Sequence, residues 1–267
     1  MLLMDGGDFL PRVIDRREEP KALLCWGEME RLGYDAVALG EIELRHWDLI
    51  ERLMTEMPLP VVSTNVEHLR DGLWLPVGEK YSIVECNGAR IGVISTITEE
   101  LFGQTTQEFQ DRLRVLPPMP EIERAVAALE AQVDVIVLLA HMDPKALEQL
   151  ASLVEGVDIV LGGHVTQIDT MPMRLAEVIV NRSGTRGQAL AATRLIVSPD
   201  GQIADFGGTN VILGPNLSED PGVLAAIEAA KQKTAEIPSH PLQPTLGPGT
   251  SSSAIPVRTE EAKPVQK

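Results

Sequence analysis

Four short stretches of the chain place an acidic or imidazole side chain directly after an apolar run, and in three of them this side chain lies close to glycine. They are Asp5-Gly6-Gly7-Asp8, Gly40-Glu41-Ile42-Glu43, Ala140-His141-Met142-Asp143 and Gly162-Gly163-His164-Val165-Thr166-Gln167. Glycine lets the backbone turn sharply after a strand, and loops at the carboxyl ends of parallel strands commonly carry ligands and catalytic groups. We therefore expect the four stretches to meet at one crevice and to form a metal site from distant parts of the sequence.

Four side chains within these stretches are of types that bind transition metals. Asp8 and Glu41 supply carboxylates, and His141 and His164 supply imidazoles. This donor set suits one divalent Mn, Fe or Zn ion. Each residue also has a structural alternative, because Glu41 is equally suited to the N-terminus of a helix and a strand-end histidine often hydrogen-bonds within the core. Candidates for orienting the ligands or for weak ligation are Asn65, Glu43, Thr166 and Gln167.

Alternating strand and helix patterns position these stretches. Short runs rich in Val and Ile predict buried, parallel strands at residues 35–39, 59–66, 133–140 and 157–161. Segments with helical spacing lie between them, at residues 23–32, 47–57, 122–131 and 146–154. Such alternation predicts an α/β fold.

Two hairpin signals interrupt the alternation. One turns at Asn87-Gly88 and the other at Pro199-Asp200-Gly201, and both sequences favour tight turns between strands. The runs at residues 178–181 and 193–198 indicate a second, largely antiparallel sheet packed on the first. The expected architecture is a layered sandwich of mixed sheets with flanking helices.

Length and composition fit one domain followed by a tail. The chain has 267 residues, of which 44% are hydrophobic, enough for the core of a single α/β domain over residues 1–237. Pro, Ser, Thr and Gly dominate residues 238–267, where hydrophobic periodicity ends. This composition predicts a disordered tail, or a linker to a fused or partner domain.

The net charge of the chain limits the classes of molecule that it can bind. The formal net charge is −16, from 39 acidic and 23 basic residues, so the protein repels a nucleic-acid polymer. The same field opposes a small phosphorylated substrate unless bound metal reverses the local sign. The two cysteines give neither a disulfide framework nor a thiolate zinc site, and no apolar run approaches the roughly 18 residues of a membrane span.

Together, the stretches resemble those of the calcineurin-like metallophosphoesterases, in the form found in the N-terminal catalytic domain of 5′-nucleotidases. Residues 2–9 are similar to the motif whose Gly-Asp supplies a metal-bridging carboxylate, which corresponds to Asp8. Residues 33–43 are similar to the run that leads into Gly-Asn-His-Glu, and residues 62–66 to a Ser/Ala-Asn-Val strand. Gly162-Gly163-His164 is similar to Gly-Gly-His-Thr-His, and His141 lies at the place of a strand-end metal ligand.

The order and spacing agree from residue 1 to about residue 208, which is more specific than any single motif. The resemblance implies a four-layer α/β/β/α sandwich of mixed sheets. It also implies a divalent metal held by Asp8, Glu41, His141 and His164, and a nucleotide or other small phosphoester as substrate. For the two histidines, the agreement of both positions favours ligation over burial. An extracytoplasmic or periplasmic location is implied too, although the chain shows no signal peptide.

The chain departs from the family pattern at three places. Its first motif, Asp-x-His, is absent, and because the chain opens directly in a strand we expect this motif and its strand to lie upstream. Ile42 stands where the family has its catalytic histidine, and Thr166 stands where the last motif has a second histidine. Isoleucine cannot transfer a proton and threonine is a poor metal ligand, so the catalytic residue is unknown and one ion is expected rather than two.

Two functions follow from these residues. The first is a metal-dependent phosphohydrolase of the 5′-nucleotidase type, with activity below that of the family. The alternative is a catalytically degenerate module that binds metal or nucleotide, or that serves as a scaffold.

Overall fold

The computed structural model describes residues 1–102, 107–199 and 201–238, without the side chains of residues 107 and 108. The strands in this part of the chain are β1 (Met4–Asp5), β2 (Ala36–Val37), β3 (Val66–Arg70), β4 (Leu73–Pro76), β5 (Ser82–Cys86), β6 (Ala89–Ile97), β7 (Leu113–Val115), β8 (Val135–His141), β9 (Ile159–Gly163), β10 (Met173–Leu175), β11 (Val178–Arg182), β12 (Ala189–Leu190), β13 (Arg194–Val197), β14 (Ile203–Gly207) and β15 (Val211–Ile212). The α-helices are α1 (Glu19–Leu32), α2 (Glu41–Arg45), α3 (Trp47–Glu56), α4 (Gln107–Arg112), α5 (Pro118–Leu129), α6 (Pro144–Leu153) and α7 (Pro221–Glu236).

A six-stranded mixed sheet, in the order β10-β11-β9-β8-β6-β5, forms the centre of the fold. The four inner strands are parallel, and both edge strands pair antiparallel. Every residue of β8 is buried, as expected for a continuous apolar strand covered on both faces. The register pairs Ile97 with His141 and His141 with Gly163, so β6, β8 and β9 end at one edge.

Helices α5 and α6 cover one face of this sheet. Helix α5 buries Ile122, Ala125, Val126 and Leu129, which recur at helical spacing, against the strand residues of the same core group. Both helices begin with proline, which has no N–H to leave unsatisfied in the first turn.

The other face of the sheet meets the segment that carries the first two stretches. Strands β1 and β2 pair in parallel, and an isolated bridge joins Val37 to Val61. This layer is joined to β6 by hydrogen bonds, because Thr64 N donates to Ser95 O at 2.9 Å and Ser95 N donates to Thr64 Oγ1 at 3.0 Å. Helices α1 and α3 close the layer with the buried side chains Trp26, Ile50 and Leu53.

The predicted α/β class with mixed sheets is confirmed. The hairpin at Asn87-Gly88 is present as β5 and β6, and β13 pairs with β14 across the second turn, whose Asp200 lies outside the described residues. The assignment of residues 178–181 to a second antiparallel sheet is wrong. This segment is β11 and pairs in parallel with β9, because all its residues are buried and such a strand belongs inside the main sheet.

Near the end of the described chain, α7 packs on α1. Thr234 Oγ1 donates to Arg17 O at 3.1 Å, and Asp220 Oδ1 accepts from Val223 N at the start of the helix. The predicted tail lies outside the described residues from position 239 onward. None of the helices in the described ranges is long and apolar enough to cross a membrane.

Candidate metal centre

The four predicted ligands lie together at the carboxyl edge of the sheets. His141 is the last residue of β8, and His164 directly follows β9. Asp8 follows β1, and Glu41 is the first residue of α2, just beyond β2. One ligand atom from each of the four side chains lies within 4.8 Å of the other three. Strands that run in parallel therefore bring four distant stretches to one point.

Each imidazole contacts both carboxylates. His141 Nε2 lies 2.8 Å from Glu41 Oε2 and 3.5 Å from Asp8 Oδ2. His164 Nδ1 lies 3.3 Å from Glu41 Oε1 and 3.6 Å from Asp8 Oδ2. The two rings meet edge to face, with centroids 5.2 Å apart.

These distances fit a small divalent ion. Ligand atoms about 2.1 Å from one tetrahedral ion lie about 3.4 Å from each other. Three of the four distances between an imidazole nitrogen and a carboxylate oxygen are 3.3–3.6 Å. Two carboxylates and two imidazoles are also a donor set that Mn, Fe and Zn accept. The cluster is therefore a candidate ligand group for a divalent metal.

A backbone carbonyl orients His141 for ligation. Its Nδ1 lies 2.6 Å from Gly6 O and donates a hydrogen bond to it, which turns Nε2 toward Glu41 and Asp8. The ring is fully buried. A hydrogen bond of this kind on the second ring nitrogen is typical of histidines that bind metal, because it fixes both the tautomer and the ring plane.

The metal-free cluster is balanced in charge. Burial opposes ionisation, but the hydrogen bonds from His141 and His164 hold the pKa of Asp8 well below its ordinary value and lower the pKa of Glu41 to about 2. Burial likewise opposes the charge of His141, yet Asp8 and Glu41 raise its pKa to about 10, and the same two carboxylates raise the pKa of His164 to about 9. Two carboxylates thus face two imidazolium rings, and a divalent cation would take the place of the two protons.

The backbone of two ligands is held in an unusual conformation. Asp8 has φ 63° and His164 has φ 54°, both in the left-handed region that favours glycine. Such a conformation costs roughly 1–3 kcal/mol in a residue other than glycine and occurs often at ligand sites. Ile42 N steadies the Asp8 carboxylate by donating to Oδ1 at 3.0 Å.

Glycines explain how the loops approach so closely. An added Cβ at Gly7 would lie 2.6 Å from Gly40 N and 2.9 Å from His141 Nδ1. At Gly40 an added Cβ would overlap Asp8 Oδ1 and lie 2.6 Å from His141 Cε1, and at Gly163 it would overlap Gly6 O. Glycine is therefore required at Gly7, Gly40 and Gly163 by close contact with the candidate ligands or with the backbone beside them.

We expect Gly40→Ala to weaken metal binding strongly, because the new methyl group displaces Asp8 and His141. Gly27→Ala is the matched control, since an added Cβ meets nothing within 4 Å there and alanine is about 1 kcal/mol more favourable than glycine within a helix. Isothermal titration with Mn²⁺ or Zn²⁺ measures both affinities. Equal affinities of Gly40→Ala and Gly27→Ala would contradict the placement of the site.

Glu43, predicted to orient the ligands, joins the two acidic loops. Its fully buried carboxylate accepts from Asp8 N at 2.8 Å, from Leu10 N at 3.0 Å and from Gly40 N at 2.9 Å. Burial and the charge of Asp8 raise its pKa to about 7, although these three hydrogen bonds oppose the shift. Glu43 therefore binds the backbone on both sides of the cluster.

The other weak candidates have different contacts. The buried Asn65 donates to Ile97 O and Leu116 O and accepts from Ile97 N, so its amide joins backbone segments beside β6. Gln167 is exposed and donates to Asp169 at 3.0 Å, and Thr166 is exposed as well. Ile42 is half-buried and packs against the core group that contains Trp26 and Trp47.

Asp5 was not among the predicted site residues. Its Oδ1 accepts from Gly7 N at 2.8 Å and shapes the turn that leads to Asp8. Burial raises the pKa of Asp5 to about 6. The sequence signal was the Asp-Gly-Gly triplet, in which an aspartate commonly hydrogen-bonds the backbone two residues on.

Comparison with known proteins shows that the chain is similar in sequence to 5′-nucleotidases. No protein-family model matches the sequence. Among curated proteins, the 5′-nucleotidase of Diplobatis ommata is 24% identical over 230 residues, which cover 78% of this chain and 39% of that protein. The 5′-nucleotidase of Bos taurus is 24% identical over 248 residues, covering 82% and 42%. The chain thus spans about two-fifths of the length of these relatives.

Solved structures agree with this similarity. The fold matches a calcineurin-like phosphoesterase, YfkN from Bacillus subtilis, with a TM-score of 0.72 and 20% identity over 88% of this chain and 84% of that one. A 5′-nucleotidase precursor from Thermus thermophilus matches with a TM-score of 0.71 and 24% identity, over 88% of this chain and 50% of that one. The sulfate thiohydrolase SoxB from the same organism matches with a TM-score of 0.75 and 20% identity, over 86% of this chain and 42% of that one.

The fold is that of the calcineurin-like metallophosphoesterases, as the sequence motifs predicted. Within this class, both the sequence and the fold are similar to those of 5′-nucleotidases.

Proposed function

We propose that this chain is a metal-dependent phosphohydrolase of the 5′-nucleotidase type, acting on nucleotides or other small phosphoesters. The observation that carries the proposal is the cluster of Asp8, Glu41, His141 and His164 at the carboxyl edge of the sheet, where ligands bind in folds of this kind. The similarity to 5′-nucleotidases supports phosphoester hydrolysis as the reaction.

The four side chains of the cluster would hold one divalent ion. Such an ion polarises a phosphoryl oxygen and lowers the pKa of water. The residues of the chain supply the frame for it: Gly6 O orients His141, Ile42 N orients Asp8, and Glu43 holds both acidic loops together. Because His164 is 30% exposed while His141 is fully buried, a substrate would approach from the side of His164.

The charge of the protein is consistent with a requirement for metal. A net charge of −16 repels a phosphorylated substrate, and the metal-free cluster, in which two imidazolium rings balance two carboxylates, has no net positive charge to offset this repulsion. A divalent ion concentrates two positive charges at the point of binding. The same net charge argues against a nucleic-acid polymer as substrate.

Metal-supplemented hydrolysis tests the proposal. Wild type and Asp8→Ala are compared on 4-nitrophenyl phosphate, bis-4-nitrophenyl phosphate and AMP, each with Mn²⁺, Zn²⁺ or Fe²⁺. We expect hydrolysis by the wild type and a background rate for Asp8→Ala, because this carboxylate contacts both imidazoles. Asp205→Ala, an exposed substitution in β14, is expected to keep the wild-type rate. Equal rates for wild type and Asp8→Ala would reject the proposal.

The second candidate is a catalytically degenerate module that binds metal or nucleotide, or that acts as a scaffold for a fused or partner domain. Ile42, whose backbone N–H donates to Asp8, favours it, because its apolar side chain offers no proton. The amount of bound metal distinguishes a metal-binding module from a scaffold. Stoichiometric metal without hydrolysis indicates a binding module, and no metal after incubation with excess Mn, Zn or Fe leaves only a scaffold.

A further inference from the structure

The loop that carries His164 is anchored by a buried ion pair. Asp169 and Arg182 form a two-pronged contact, with Arg182 Nε 3.0 Å from Asp169 Oδ2 and Arg182 Nη2 3.0 Å from Asp169 Oδ1. The side chains are 1% and 6% exposed. Asp169 N also donates to Arg182 O at 3.0 Å, so backbone and side chains join the same two residues.

Arg182 supports the strand from which His164 emerges. It is the last residue of β11 and pairs in register with Gly162 of β9, two positions before His164. A Cβ added to Gly162 would lie 3.0 Å from Arg182 Cγ. The stem of the arginine therefore lies against the backbone at the base of the His164 loop, while its guanidinium binds the far end of that loop at Asp169.

Asn210 extends the anchor to a third segment. Its Nδ2 donates to Asp169 O at 2.8 Å, to Asn181 Oδ1 at 2.8 Å and to Arg182 O at 3.1 Å. Its Oδ1 accepts from Ala192 N at 3.0 Å. One amide thus ties the His164 loop, the end of β11 and the segment before β13 together.

A buried ion pair is a poor source of stability, because desolvation offsets much of the attraction, whereas loss of one partner leaves an unpaired buried charge. In this protein, the ion pair between Asp169 and Arg182 instead holds the loop in position. His164 itself has a left-handed backbone and makes ion pairs only with Asp8 and Glu41 among the described residues, so its placement depends on what fixes the loop.

We propose that Asp169 and Arg182, with Asn210, are positioning residues that set His164 in the metal-binding geometry. This inference rests on the proposed metal site for its main readout. In this proposal, the ion pair changes metal affinity only because it fixes the position of His164, and it does not act on the other three candidate ligands. Supporting groups of metal ligands typically contribute tenfold to a hundredfold in affinity.

A double-mutant cycle tests this role. Metal affinity is measured by titration with Zn²⁺ or Mn²⁺ for wild type, Asp169→Asn, His164→Ala and the double variant. We expect Asp169→Asn to weaken binding at least about tenfold in the wild-type background. We expect it to have less than about a threefold effect when His164 is already alanine, because coupled residues are not additive. Equal effects in both backgrounds would overturn the proposal.

A stability control separates positioning from general destabilisation. Leu129→Ala removes a fully buried side chain of α5 and costs roughly 2–5 kcal/mol, but this residue does not touch the cluster. Its metal affinity should equal that of wild type at a temperature where all variants are folded. If Asp169→Asn fails to fold, Asn210→Ala takes its place in the cycle, since it removes the amide and leaves the ion pair intact.

A measurement on the metal-free protein keeps the inference independent of the proposed function. The rings of His141 and His164 are 5.2 Å apart, which permits a nuclear Overhauser effect between their protons. This effect should weaken in Asp169→Asn and persist in Leu129→Ala. If it is unchanged in Asp169→Asn, the ion pair does not position His164. Absence of metal binding by wild type would instead reject the proposed function alone.

Discussion

His141→Ala is expected to abolish tight metal binding and to destabilise the metal-free protein. The ring contacts Glu41 at 2.8 Å and Asp8 at 3.5 Å, and it is the only one of the four candidate ligands that is fully buried. Its loss removes a direct ligand, so the decrease in affinity should exceed the roughly hundredfold that loss of a supporting group costs. It also leaves two carboxylates facing each other with one imidazolium, and breaking a buried pair costs roughly 3–5 kcal/mol.

His68→Ala is the matched control for this prediction. His68 lies in β3, packs against Trp47 with ring centroids 5.1 Å apart, and makes no ion pair in the described structure. Its removal should leave metal content at the wild-type level. Metal content is measured by elemental analysis after gel filtration, and stability by denaturant unfolding without metal. Stoichiometric metal in His141→Ala would place the ion elsewhere.

The sequence predicted the cluster because its signal is local. An apolar run followed by a ligand-type side chain, beside a glycine in three of the four cases, identifies a strand end, and parallel strands bring such ends together. Asp8, Glu41, His141 and His164 could therefore be chosen before their distances were known. The strands β8 and β9 were predictable for the same reason, since an uninterrupted run of Val, Ile and Leu predicts burial on both faces.

The anchoring contacts could not be predicted, because they depend on tertiary pairing. Nothing near Asp169 in the sequence indicates that Arg182 is its partner, and Asn210 reaches both from 28 to 41 residues away. The sheet assignment of residues 178–181 was wrong for a related reason, since a short apolar run does not reveal which strand it will join. Contacts within a few residues, such as Gly7 N with Asp5, are predictable from the sequence.

Ile42→His is expected to increase hydrolysis of AMP by about 10²-fold or more, with a much smaller effect on 4-nitrophenyl phosphate. Ile42 is half-buried, and its backbone N–H donates to Asp8 at 3.0 Å, so its position is next to the ligands while its side chain has no proton to give. General acid catalysis contributes about 10²–10⁴-fold where a leaving group needs a proton. The alkoxide of a nucleoside needs one, whereas 4-nitrophenolate leaves as a stable anion.

The pH dependence of the gain follows from the same argument. A histidine acts as an acid only while protonated, and its ordinary pKa is about 6.5. The bound ion that hydrolysis requires opposes the charge of Asp8, so no raised pKa is expected for the new imidazole, and the increase in AMP hydrolysis should be complete below the pKa of the imidazole and should disappear as the pH rises through it. The ratio of AMP to 4-nitrophenyl phosphate rates, measured across this range, reports the contribution of the proton.

Ile42→Asn separates proton transfer from a mere change in polarity. Asparagine is polar and can hydrogen-bond a phosphate, but it does not act as an acid in this pH range. It should leave the substrate ratio near that of wild type, and both variants should bind the same amount of metal because the four ligands are unchanged. If Ile42→Asn and Ile42→His raise AMP hydrolysis equally, the limit set by Ile42 is one of substrate binding. If wild type already hydrolyses both substrates at similar rates, another residue donates the proton, and the lack of a histidine at this position is compensated within the site.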